Sequence, residues 1–428
     1  PVSGNPSSVK VTAQVTDIAG NPSGIAEDTA KVDNVAAPAP TVELQGAGTD
    51  DTYNKAEIGS DNSVTAKVTL AVGTQVGDLL VVKDGAGAEL FNGKVTAEML
   101  KDGLNVEVPV SGNPSSVKVT AQVTDIAGNP SGIAEDTAKV DNVAAPAPTV
   151  ELQGAGTDDT YNKAEIGSDN SVTAKVTLAV GTQVGDLLVV KDGADNVLFN
   201  GKVTAEMLKD GLNVEVPVSG NPSSVKVTAQ VTDIAGNPSE IAEDTAKVDN
   251  VAAPAPTVEL QGAGTDDTYN KAEIGSDNSV TAKVTLAVGT QVGDLLVVKD
   301  GADNVLFNGK VTAEMLKDGL NVEVPVSGNP SSVKVTAQVT DIAGNPSEIA
   351  EDTAKVDNVA APAPTVELQG AGTDDTYNKA EIGSDNSVTA KVTLAVGTQV
   401  GDLLVVKDGA GAELFNGKVT AEMLKDGL

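Results

Sequence analysis

Val117-Lys118-Val119-Thr120-Ala121-Gln122-Val123-Thr124-Asp125-Ile126-Ala127-Gly128-Asn129-Pro130-Ser131 is the stretch that decides the fold. Val117, Val119, Ala121 and Val123 alternate with Lys118, Thr120, Gln122 and Thr124. That period of two marks a strand with one buried face. The strand runs into Asp-x-x-Gly-Asn-Pro, a turn in which Asn tolerates a left-handed backbone. Glu135-Asp136 and Asp141-Asn142 then lead along a last strand, closed by Ala138 and Val140, into Val143-Ala144-Ala145-Pro146-Ala147-Pro148. This exit has no Gly, and each proline restricts itself and the residue before it, which predicts an extended, semi-rigid linker.

The words from Val123 to Ser131 occur four times, spaced by 108 residues. A period that long exceeds the 20–50 residues of solenoids and suits a self-contained domain. Starting after the Pro-rich segment at 36–40, complete repeats are 41–148, 149–256 and 257–364. Residues 1–40 are the tail of a repeat and 365–428 the head of one, together supplying 104 of the 108 positions. The spacing therefore predicts that the two ends are complementary parts of one repeat. Repeats 41–148 and 149–256 differ at four positions: Gly87/Asp195, Ala88/Asn196, Glu89/Val197 and Gly132/Glu240.

Working outward within 41–148, Val42 and Leu44 flank Glu43 as a short first strand. Val64, Ala66, Val68 and Leu70 alternate with Thr65, Lys67 and Thr69. Leu79-Leu80-Val81-Val82 is a continuous apolar run that predicts a more central strand. Leu90-Phe91 and Val95 give another strand, and Thr96 to Leu100 a helical turn with Thr96 as cap and Gly103 as stop. Leu104, Val106, Val108 and Val110 point inward, leaving Pro109 outward, tolerable on an edge strand. About seven strands with turns between them predict an all-β chain. Its expected form is tandem immunoglobulin-like antiparallel β-sandwich domains, arranged end to end as a rod.

Composition narrows the function. A net charge of −33 and a pI near 4.1 disfavour nucleic acid and anionic membrane surfaces as partners. All 28 basic residues are Lys, so no guanidinium is present for bidentate grip. No apolar run approaches a membrane span, so no membrane insertion is expected. Without Cys or His, only carboxylate pairs or a metal-bound water could do chemistry. No large apolar pocket is implied, so neither enzyme activity nor a small-molecule substrate is expected. Each complete repeat has one Phe and one Tyr, and sets 15 or 16 acids against seven Lys. Cations would offset both the thin core and the repulsion.

Ca²⁺ takes six to eight hard oxygens from carboxylates, amides and carbonyls. Such oxygens crowd in three places per repeat. The first is the early loop: Asp50, Asp51, Asn54 and Glu57, with Asp61 near, then Asp158, Asp159, Asn162 and Glu165. It recurs as Asp266, Asp267, Asn270 and Glu273, and as Asp374, Asp375, Asn378 and Glu381. The second is the Asp-x-x-Gly-Asn turn: Asp17 with Asn21, Asp125 with Asn129, Asp233 with Asn237, Asp341 with Asn345. The third lies on the last strand and exit: Glu27, Asp28, Asp33 and Asn34, then Glu135, Asp136, Asp141 and Asn142. Its later copies are Glu243, Asp244, Asp249 and Asn250, and Glu351, Asp352, Asp357 and Asn358. In an immunoglobulin-type sandwich, Asp141 and Asn142 should face Asp233 and Asn237 of the following repeat across Pro146 and Pro148. The expected cofactor is therefore Ca²⁺, several per repeat and at the linkers, and the expected partners are neighbouring repeats.

Outward Thr65 and Thr69, or Thr120 and Thr124, offer a competing reading as an ice-binding array, but Lys67 or Gln122 interrupts each pair. Glycan binding would recruit exposed rings, for which only Tyr53 is a candidate, and packing is its commoner use.

Thr124 to Asn129, the Val140-Asp141-x-x-x-x-Pro146 exit and Asn54-x-Ala56-Glu57 together resemble the bacterial immunoglobulin-like domains of giant secreted adhesins. The near-identical tandem repeats are most similar to the extender regions of ice-binding RTX adhesins. The resemblance covers the whole chain. It implies a Ca²⁺-stiffened spacer outside the cell, on the bacterial surface, that holds a separate ice-binding domain away from it. With roughly 40–45 Å per repeat, from ten-residue strands at about 3.3 Å per residue plus linker, the chain would reach roughly 160–180 Å.

Overall fold

The computed structural model describes Val2, Gly4 and residues 6–428. Pro1, Ser3 and Asn5 of the first repeated hexapeptide lie outside the described residues. The chain divides into two compact units, Pro1–Val251 and Ala252–Leu428.

In the first unit, strands β1 (Ser8–Ala13) and β2 (Ala26–Lys31) pair as an antiparallel hairpin. Residues 41–140 then contain β3 (Thr41–Gln45), β4 (Thr52–Tyr53), β5 (Ser63–Thr69), β6 (Leu79–Asp84) and β7 (Glu89–Lys94). Helix α1 (Ala97–Asp102) and strands β8 (Leu104–Pro109), β9 (Ser116–Thr124) and β10 (Ala134–Val140) complete them. One sheet has the order β3-β5-β8, the other β4-β10-β9-β6-β7. All pairings are antiparallel except β4 with β10, which runs parallel. This is an immunoglobulin-type sandwich, with Pro109 ending the edge strand β8 and exposed.

The core follows from the alternation. Val64, Ala66 and Val68 from one sheet meet Leu80, Val82, Val119, Ala121 and Val123 from the other, all buried. Tyr53 is fully buried, and its hydroxyl donates to the Gln45 carbonyl at 2.7 Å. Its phenol is pushed up to about 12, first by burial and then by the carboxylates of Asp136, Asp51 and Glu57. Thr96 caps α1 by accepting from the Met99 amide. Gly103 ends it at φ 79°, where a β-carbon would stand 2.7 Å from the Val68 carbonyl oxygen. Only glycine fits there.

The run Leu79–Val82 is the interior strand that its apolar character predicts, lying between β9 and β7. Its pleat buries Leu80 and Val82 and leaves Leu79 exposed and Val81 half-buried. Thr52–Tyr53 adds a short strand on the sheet edge that the alternation does not mark.

Residues 149–248 repeat this architecture in the same unit, with their own core from Ala145 to Val248. The substituted hairpin keeps its geometry, because Asp195 adopts a positive φ of 64° where Gly87 has 87°. The partner of the preceding lysine simply moves: Lys83 lies 3.9 Å from Glu89, and Lys191 3.9 Å from Asp195. In the second unit, residues 257–357 form the same two sheets around a core from Ala253 to Val356. Residues 365–428 contribute two two-stranded sheets and a small core of Val392, Leu404 and Val419. The terminal segments leave apolar faces open: Val11 is 65% exposed where Val119 of the complete repeat is 0%.

Candidate metal centre and inter-repeat joint

The early loop is built around a glycine. A β-carbon on Gly48 would stand 3.3 Å from Glu57 Oε1 and 3.7 Å from Asp50 Oδ1, so two carboxylate oxygens border one small space. The same pair of oxygens approaches Gly156, Gly264 and Gly372, from Glu165 and Asp158, Glu273 and Asp266, and Glu381 and Asp374. The rest of this cluster serves the backbone. Asn54 Oδ1 accepts from the Ala56 and Glu57 amides, and Glu57 Oε2 accepts from the Asn54 amide. At Asn162 and Glu165, and at Asn270 and Glu273, these reciprocal bonds form a capping box on a short helix. Asn378 Oδ1 likewise accepts from Glu381 N. Asp51, Asp159, Asp267 and Asp375 hold left-handed backbone at φ 52–56° and turn the chain. Asp61 accepts from the Ser63 hydroxyl, and its other oxygen borders Gly59.

The Asp-x-x-Gly-Asn turn closes on itself. Asp125 Oδ1 accepts from the Asn129 amide at 2.8 Å and Oδ2 from Asn129 Nδ2 at 2.9 Å. Those bonds, side chain first, hold the Asp125 carboxyl below the usual carboxylate range. Asp17 and Asn21 do the same, as do Asp341 and Asn345. The carboxylate and amide of each turn are thus bonded to one another.

The last strand splits its acids. Successive side chains on a strand point to opposite faces, so Glu135 and Asp136 are not brought together. Glu135 pairs with Lys118 at 2.7 Å, and Glu27, Glu243 and Glu351 pair with Lys10, Lys226 and Lys334 at the same distance. Asp136 Oδ2 accepts from the Leu44 amide at 2.7 Å, tying β10 to the edge of the other sheet. Asp244 and Asp352 bind Leu152 and Leu260 identically. Asp28 accepts from the Thr29 amide.

At the exit, Asp33, Asp141, Asp249 and Asp357 each accept from an amide two residues on. Asn34, Asn142, Asn250 and Asn358 fasten the linker through Nδ2 to Gly4, Gly112, Gly220 and Gly328. The Oδ1 atoms of Asn142, Asn250 and Asn358 are buried without a hydrogen-bond partner. Buried polar atoms are normally satisfied, so an orphaned amide oxygen beside Asp141 fits a hard cation. Among the described residues, no three carboxylates converge at metal-holding distance. A cation at either place would need amide, carbonyl or water oxygens besides the acids.

Within the first unit the exit of one repeat meets the turn of the next. Asn237 Nδ2 donates to the Asp141 carbonyl at 2.8 Å, and its Oδ1 accepts from the Lys55 amide at 2.9 Å. Asn54 Nδ2 donates to the Ala235 carbonyl at 2.9 Å. Asp141 and Asn237 therefore do face one another. The bonds to Asn54 and Lys55 were not legible, because they require knowing that β4 lies beside β10 at this pole. Linker packing adds to the joint: a β-carbon on Gly181 would stand 3.1 Å from Pro146 Cγ.

The competing sites fare poorly. Tyr53, Tyr161 and Tyr269 are fully buried and offer no ring to a sugar. Thr65 donates its hydroxyl to Glu107, and Thr120 to the Lys83 carbonyl. No helix among the described residues is long and apolar enough to cross a membrane.

No protein-family model and no curated protein matches the chain. Among solved structures it is similar to a Ca²⁺-stabilized adhesin that helps an Antarctic bacterium reach out and bind ice. That likeness has 22% identity and a TM-score of 0.42, over 90% of this chain and 89% of that one. A structure bearing on host cell surface retention of a 1.5-MDa bacterial ice-binding adhesin matches at 20% identity and TM-score 0.37, covering 76% of this chain and 100% of that one. Fibronectin(III)-like modules of Clostridium thermocellum CbhA match at 11% and 0.29, covering 49% of this chain and 94% of that one.

Proposed function

We propose that this chain is a spacer, the extender of a bacterial surface adhesin, whose tandem sandwiches are stiffened by Ca²⁺ and carry a separate ligand-binding domain away from the cell. The adhesin, its ice-binding domain and its extracellular setting come from the resemblance of the turn and exit motifs. The observation that carries the reading is the joint. One repeat's exit is hydrogen-bonded to the next repeat's turn across a linker free of glycine, beside a buried amide oxygen that has no protein partner. Asn142 Oδ1 with Asp141 at the linker, and Asp50 with Glu57 over Gly48, are the oxygens that would hold Ca²⁺. The ion would supply charge neutralisation to a chain of net charge −33 and cross-link segments at the poles. Repeats would begin near residues 41, 149, 257 and 365.

Small-angle scattering and thermal melting in Ca²⁺ and in chelator test this. The expected result is a longer, less flexible particle with a higher Tm in Ca²⁺. Each site filled a hundredfold above its Kd adds about 2.7 kcal/mol. Superimposable scattering curves and equal Tm in the two conditions refute it.

A further inference from the structure

We infer that the Asp233–Asn237 loop is a directional latch. It selects the exit pole of a preceding repeat by direct hydrogen bonds, and these bonds orient the joint that Ca²⁺ then stiffens. The inference deepens the spacer reading by naming the surface through which one repeat recognises another copy of itself.

Three bonds cross the joint in the first unit, and they read the preceding repeat at two separate places. Asn237 spans both, giving Nδ2 to the Asp141 carbonyl and taking the Lys55 amide on Oδ1. A primary amide donates from one end and accepts at the other, which an ionised carboxylate of the same shape cannot do. The third bond, Asn54 Nδ2 to the Ala235 carbonyl, depends on the capping geometry of the early loop, because Oδ1 is committed to the Ala56 and Glu57 amides. Cap and latch thus use opposite ends of one side chain. Close approach is also required: a β-carbon on Gly236 would stand 3.0 Å from Asn54 Nδ2.

The chain holds its own control. Asn129 occupies the same turn but is preceded only by residues 1–40, which lack the early loop. It keeps the bond to the Asp33 carbonyl at 3.1 Å and is half-buried. Asn237, docked against a whole repeat, is 2% exposed. The turn is identical from Val123 to Ser131, and what Asn237 has in addition is the contact with Asn54 and Lys55 of the neighbour.

The contact has polarity. The turn lies at the entry pole and Tyr53-Asn54-Lys55 at the exit pole, so it joins repeats head to tail. A head-to-tail interface uses two different surfaces and can be repeated from one copy to the next, as a spacer of any repeat number requires.

The whole chain has no cysteine, so the exposed Lys94→Cys and Lys202→Cys substitutions place one spin label on each side of the joint. Double electron–electron resonance in chelator reads the width of the distance distribution. A narrow component resting on the three bonds, sharpened further when Ca²⁺ is restored, is expected for the parent chain. Asn237→Ala should lose it. Asn54→Asp should also lose it, since Asp keeps the capping oxygen but not the donor, which separates latch loss from misfolding of the turn. Asn129→Ala should leave it unchanged. A broad distribution in the unsubstituted chain, or a narrow one in both joint variants, overturns the latch. The comparison is made at fixed cation content, so its failure is distinct from failure of the Ca²⁺ dependence in scattering.

Discussion

Replacing Asp136, Asp244 and Asp352 together by Ala removes one carboxylate per complete repeat, and the structure assigns those carboxylates a structural role. Each accepts from an amide of the first edge strand in the opposite sheet, at 2.7 Å, and from the amide that follows it at 2.8–2.9 Å. A hydrogen bond to a charged group is worth about 1.5–3 kcal/mol, and truncation strands an amide that is partly shielded from water. The bond is half-buried rather than deep, so about 2–3 kcal/mol per repeat is the expected loss. With a urea slope of about 1–3 kcal/mol per M, the unfolding midpoint should fall by about 0.7–3 M. The measurement is urea denaturation of the whole chain in chelator, followed by circular dichroism, beside a calorimetric Ca²⁺ titration of the same variant. The expected pair of results is the lowered midpoint with unchanged ion stoichiometry. An unchanged midpoint in chelator, with three fewer ions bound, would falsify the structural assignment and return these residues to the metal.

The stop after the helical turn makes a second test. Gly211 has φ 78° and its β-carbon would stand 2.6 Å from the Val176 carbonyl oxygen, whereas Gly220 has φ 69° with nothing nearby. Gly220→Ala should cost about 1–2 kcal/mol for left-handed backbone alone. Gly211→Ala should exceed it by about 1–3 kcal/mol from overpacking. Equal urea midpoints for the two variants contradict the close approach. Alkaline titration gives a third. The phenols of Tyr53, Tyr161 and Tyr269 are pushed from 10.0 to about 12 by burial and then by Asp136, Asp244 and Asp352 respectively. A raised native value means the unfolded chain releases the proton first, so stability is intact below pH 10 and falls as pH rises towards 12. In a Tyr377→Phe chain, which leaves only these three, tyrosinate absorbance should therefore rise together with loss of circular dichroism, and tyrosinate forming near pH 10 in the native state contradicts it.

Much of the fold was legible because local physics and tertiary demand agree. Alternation in Val117–Val123 and Val64–Val68, the Thr96 cap, the Gly103 stop and the outward Pro109 all appear where their residue types place them. Leu79–Val82 marks the interior strand correctly, but an apolar run carries no period, so only the pleat shows that Leu79 faces solvent. In the candidate site, residue type alone marked oxygens without saying what uses them. Asn54-x-x-Glu57 has the spacing of a capping box, a signal present in the sequence and outweighed by its acidity.

The sequence by itself determined the repeat, its sandwich architecture, the glycine-free linker and the excess of oxygen ligands, because each rests on periodicity or on composition. The tertiary structure decided how those oxygens divide. Strand alternation sends Glu135 to Lys118 and Asp136 to the Leu44 amide, while the Asp125 turn satisfies itself. Glu57 and Asp50 meet only because the chain folds over Gly48. Asn237 finds Lys55 because a two-residue strand, paired in parallel with β10, carries the early loop to the pole where the next repeat begins. Each of these partners is distant along the chain or set by which face a side chain takes. No reading of residue types in order supplies that.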